Sequence, residues 1–117
     1  MALKMWHTRL MDLRKYRWSR DYESAEEELE NLLVAKDITA DRWTAEAGKA
    51  FTTHRHALDK RLWCAEGSIT YSVNGKLISL QPGDTLDLPA YAPHEAVAGI
   101  SGCVCYESPR QVLNPPI

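Results

Sequence analysis

Phe51-Thr52-Thr53-His54-Arg55-His56 is the stretch whose reading decides the fold. It follows a Gly48-Lys49 turn, and its aromatic and β-branched residues read as a β-strand. Side chains at i and i+2 of a strand point to the same face. His54 and His56 then stand on one face with Cα atoms roughly 6.6 Å apart. Two imidazoles at that spacing can lean onto one metal ion at about 2.0–2.2 Å each. His94 opens a later strand just after Pro93 and can supply a third nitrogen. The chain has 4 histidines in all, so this set uses most of them.

Period-two patterning extends from this stretch in both directions. Upstream, Trp43, Ala45 and Ala47 alternate with Arg42, Thr44 and Glu46. Downstream, strands are predicted over 62–65, closing on Glu66-Gly67, and over 68–73 and 76–80. The last two are joined by Asn74-Gly75, a strong two-residue hairpin signal. Gln81-Pro82-Gly83-Asp84 makes another turn, 85–88 is a short strand stopped by Pro89, and Gly99-Ile100-Ser101-Gly102 turns the chain into a last strand at 103–107. Seven or eight short strands with closely spaced turns predict an all-β antiparallel sandwich or barrel.

The N-terminal third is built differently. Ser24 and Glu27 have the spacing of a capping box. Ala25, Leu29, Leu32 and Leu33 form one stripe of an amphipathic helix, predicted over 24–36. In residues 1–22, Trp6, Leu10, Leu13 and Trp18 show no clean period, which leaves a strand, a short helix or an interface arm open. The expected organisation is an arm and helix over 1–41, a barrel over 42–109 and a proline-rich tail over 110–117.

Composition narrows the class of partner. A chain of 117 residues holds one core, and a net charge of −2 provides no basic field for a phosphate backbone. The cluster Arg14, Lys15, Arg17 and Arg20 is balanced by Glu23 and Glu26 to Glu28, as on a solvated face. No apolar run has the length of a membrane span, and the first residues lack the apolar core of a secretion signal. The 3 cysteines cannot all pair within the chain, which favours reduced thiols and a cytoplasmic setting. Cys103-Val104-Cys105 reads as small core residues on a strand.

Two spaced motifs resemble those of the cupin superfamily. Its first motif, G-x5-H-x-H-x3,4-E-x6-G, is similar to Gly48, His54, His56 and Gly67, and its second, G-x5-P-x-G-x2-H-x3-N, to Gly83, Pro89 and His94. The hairpin at Asn74-Gly75 lies between them, and the similarity covers about residues 43–107. The resemblance implies a double-stranded β-helix, the cupin jelly-roll barrel, carrying the N-terminal amphipathic helix. It also implies a divalent transition metal (Fe, Mn, Ni, Cu or Zn) held by His54, His56 and His94.

Three positions depart from the pattern. Tyr91 stands where the second motif has Gly, Ala98 where it has Asn, and Lys60 where the first motif has its metal-binding Glu. An ammonium offers no lone pair and repels a divalent cation. Either Lys60 swings its stem aside and leaves a three-histidine site with open positions, or the metal is lost and Lys60 binds an anionic ligand. Asp59 and Glu95 face away if their strands are regular. Trp63, Tyr71 and Tyr91 join Lys60 as expected pocket walls. The resemblance implies action on a small molecule, as a dioxygenase or an isomerase; a metal-free module binding a sugar acid or anion is the alternative. A thiol dioxygenase is a narrower case. A homodimer, with Trp6, Tyr16 and Trp18 at the interface, is the expected assembly.

Overall fold

A computed structural model describes residues 13–19 and 25–109. Ser24, most of the N-terminal arm and the tail lie outside the described residues. β1 (Arg14–Arg17) is followed by α1 (Ala25–Ala35), then β2 (Asp41–Ala45), β3 (Ala50–His54), β4 (Lys60–Val73), β5 (Lys76–Leu80), β6 (Asp84–Leu88) and β7 (His94–Pro109). All pairings are antiparallel, in the order β1-β6-β4-β7-β2, with β3 also on β7 and β5 also on β4. This is an all-β antiparallel architecture with one helix, as expected.

The hairpin between β4 and β5 forms as its sequence requires. Asn74 and Gly75 have φ of 51° and 80°, and a two-residue type I′ turn needs both positive. Elsewhere the strands differ from expectation. The predicted strands 62–65 and 68–73 are one strand, β4, and the predicted turn 99–102 lies inside β7. Glu66-Gly67 and Gly102 mark bulges, where the β4–β7 register shifts between Cys64 and Glu66 and between Gly67 and Ile69. Gly67 has φ 68°, and a Cβ there would meet the Gly102 carbonyl oxygen. The two long strands pass each other closely at this point, and only a glycine fits.

The bulges keep both ends of each strand facing one interior. Leu62, Cys64, Ile69, Tyr71 and Val73 of β4 meet Ala96, Ala98, Cys103 and Cys105 of β7, with Leu86 and Leu88 of β6. All three cysteines are free and buried. A second, smaller core lies on the outer side, where Leu29 and Leu33 of α1 pack on Trp63, Ala65 and Tyr106. Fully burying each of these large side chains stabilises the fold by about 2 kcal/mol.

The segment left open by the sequence contains a strand. β1 pairs with the edge of β6, Arg14 opposite Asp87 and Arg17 opposite Asp84. No helix of the described residues is long and apolar enough to cross a membrane.

Candidate metal centre

His54 and His94 are register partners across β3 and β7, so their side chains leave the ladder side by side. Their ring centroids are 4.2 Å apart. His56 falls past the end of β3, in the loop before β4, and the parity argument does not place it. Hydrogen bonds do. The Tyr91 N–H donates to the His56 carbonyl at 2.7 Å, and the Ala90 N–H donates to an Asp59 carboxylate oxygen at 2.7 Å. These bonds tie the loop after β3 to the turn before His94. One ring nitrogen from each of the three histidines lies within 4.8 Å of the others.

The ring nitrogens have assigned roles. Nδ1 of His54 lies 2.7 Å from the Thr52 carbonyl oxygen, and Nδ1 of His94 lies 2.9 Å from that of Ala92. A carbonyl only accepts, so each Nδ1 carries a proton, which leaves Nε2 as the position from which either ring can offer a lone pair to a metal. A hydrogen bond behind the ring is how metal-binding histidines are usually oriented. Burial lowers the pKa of His56, helped by the Lys60 ammonium and the other two rings. Burial also lowers His94, against the opposing bond to Ala92. Both rings are thereby held neutral, the form that binds metal. The donor set fits a divalent transition metal: three imidazoles on one side and open positions on the other.

The histidines line a cavity of about 300 Å³ with Trp43, Phe51, Lys60, Leu62, Tyr71, Leu88, Ala96 and Glu107 among its walls. Trp43 and Phe51 meet edge to face with centroids 5.6 Å apart. Lys60 does line the pocket, and its ammonium donates to Glu107 at 2.8 Å. Tyr71 is a wall residue as well.

Two expected wall residues are elsewhere. Trp63 is completely buried under α1 and not in the cavity, because Leu62 and Cys64 take the inward positions of β4 and leave Trp63 facing out. Tyr91 is 63% exposed and sits in the turn at φ 64°, where its backbone rather than its ring serves the site. Asp59 and Glu95 also serve outside it. Asp59 caps Ala90, and Glu95 accepts from the Thr53 hydroxyl at 3.1 Å.

Glu107 and Trp43 were not anticipated. A signal for Glu107 was present: Cys103 and Cys105 read as core residues, and Glu107 continues their alternation inward. Trp43 likewise lies opposite Cys105.

No protein-family model matches the chain, and no curated protein matches it. Solved structures do. The KdgF structure from a Halomonas species is 28% identical, over 62% of this chain and 68% of that one, with a TM-score of 0.52. A cupin-2 domain protein from Shewanella frigidimarina is 25% identical over 61% and 69%, with a TM-score of 0.53. A DUF861 family protein from Thermotoga maritima shares the fold at 14% identity, over 85% of this chain and all of that one, with a TM-score of 0.60. The chain is a member of the cupin superfamily.

Proposed function

We propose that this cupin holds one divalent transition metal through His54, His56 and His94, and that it binds and acts on a small molecule in the cavity beside it. The observation that carries the reading is the pair of Nδ1–H bonds to Thr52 and Ala92, which leave Nε2 free on converging rings. A bound metal supplies Lewis acidity and lowers the pKa of a bound water. The protein's residues do the rest. Leu62, Leu88, Ala96 and Phe51 keep much of the cavity apolar, which strengthens polar contacts inside it. Lys60 and Glu107 place one charge of each sign at its wall. Three neutral ligands leave exchangeable positions, which suits isomerase or dioxygenase chemistry.

Lys60 does not argue against the metal as its sequence position implies. Its charge is turned to Glu107 and balanced there.

The test is metal content. Protein purified without chelator is expected to hold close to one equivalent of a transition metal, and His94→Ala close to none. Equal, negligible content in both would overturn the reading. A homodimer in the cytoplasm belongs to the same proposal, supported by Leu77, Val97 and Ile100 exposed on the strands and by three reduced thiols. Light scattering at the monomer mass would contradict the dimer.

A further inference from the structure

Three side chains that line the cavity can donate hydrogen bonds into it: Tyr71, Trp43 and Lys60. Tyr71 is 5% exposed, lines the cavity, and its hydroxyl makes no hydrogen bond among the described residues. A phenol keeps its proton at neutral pH, so this hydroxyl can donate. The indole N–H of Trp43, which also lines the cavity, is buried with no hydrogen-bond partner among the described residues. Lys60 has three N–H donors and spends one on Glu107. Buried donors are nearly always satisfied, and leaving one bare is costly.

We propose that the cavity binds a small carboxylate, taken up by Lys60 and Tyr71 with Trp43 beside them. The ligand's second oxygen, from a neighbouring hydroxyl or carbonyl, lies toward the three histidines. That second half rests on the metal reading above; the first does not. A cavity of about 300 Å³ is at the small end for ligand pockets, which limits the ligand to a short acid.

Charge selects carboxylate over phosphate. Glu107 balances Lys60, so without metal the wall offers donors but no net charge, and a bound divalent ion adds an excess of positive charge. A single carboxylate can accept from these donors with modest repulsion from Glu107. A doubly charged phosphate brings more of that repulsion and finds no arginine fork among the residues lining the cavity.

Calorimetric titration with lactate, its neutral analogue lactamide and inorganic phosphate tests this. Lactate is expected to bind at least about tenfold more tightly than lactamide and than phosphate. Tyr71→Phe should weaken lactate about fivefold or more, and Lys60→Met/Glu107→Gln about tenfold or more, both with unchanged melting temperature and metal content. The double variant removes the pair together, so that neither charge is left unpaired. Equal binding of lactate and lactamide, tighter binding of phosphate, or indifference to both variants would overturn the proposal. Selective lactate binding by a protein that holds no metal would support this pocket and sink the metal reading. Metal bound by the histidines without selectivity for lactate would do the reverse.

Discussion

His54, His56 and His94 meet because two different constraints agree. A register pair places His54 against His94, and the Tyr91 N–H pins the loop that carries His56. Their spacing in the sequence made them legible as a set. Glu107 was less so, since a carboxylate on a strand reads as solvent-facing even where it continues the inward alternation of Cys103 and Cys105. Tyr91 shows what the motif's glycine was for: the position needs a left-handed backbone, and a non-glycine residue there costs about 1–2 kcal/mol. Tyr91→Gly is therefore expected to raise stability by up to about 1 kcal/mol and Tyr91→Val to lower it, as read from denaturant midpoints. Equal midpoints would remove the strain. Protonation gives a second residue-scale prediction. In metal-stripped protein His56 and His94 take up protons less readily than in the unfolded chain, whose imidazoles titrate near about 6.5. Their contribution is then fully present above that value and lost as the pH falls through it. Stability should decline from pH 7.5 to 5.5, and His94→Asn should flatten the decline. A rise over that interval would contradict the burial argument.

β4 and β7 are where sequence patterning misled. Glycine marks both turns and bulges, so Glu66-Gly67 and Gly99 to Gly102 read as ends of strands that in fact continue. The run Leu62-Trp63-Cys64-Ala65 gave no parity signal because both of its faces are buried, one in the barrel and one under α1. That is why Trp63 was assigned to the wrong side. The Asn74-Gly75 hairpin, by contrast, was fully legible, since its chemistry is local. The crossing of the two long strands makes a clear prediction. Gly67→Ala puts a Cβ against the Gly102 carbonyl oxygen and a side chain at φ 68°. The backbone cost alone is about 1–2 kcal/mol, with the overlap in addition. A thermal midpoint within a degree or two of wild type would show that the bulges separate easily.

The molecule as a whole is closed at one edge by β1, whose role the sequence left undecided. Asp87 receives Arg61 from β4 at 2.7 Å, Arg14 at 3.0 Å and the Tyr16 hydroxyl at 3.1 Å. A basic cluster that looked like a solvated face is thus partly a clasp, its acidic partners supplied by β6 rather than by the neighbouring glutamates. Removing one partner of a fully buried ion pair costs about 3–5 kcal/mol, while replacing both with apolar residues is often neutral. Asp87→Ala should therefore lose about 3–5 kcal/mol in chemical denaturation, and Arg61→Met/Asp87→Leu should recover most of it. If the double variant were no better than the single, the loss would belong to β1 docking instead. This clasp lies on the outer side of the sheet, away from the cavity, so the fold is fastened at one place and its chemistry is held at another.

The most direct test of the metal centre is a crystal grown from metal-loaded protein, with anomalous scattering recorded across the absorption edge of the metal supplied. One peak is expected, about 2.0–2.2 Å from Nε2 of His54, His56 and His94, with Lys60 still on Glu107. A crystal with no peak among the three rings, or with the metal held elsewhere, would contradict the account.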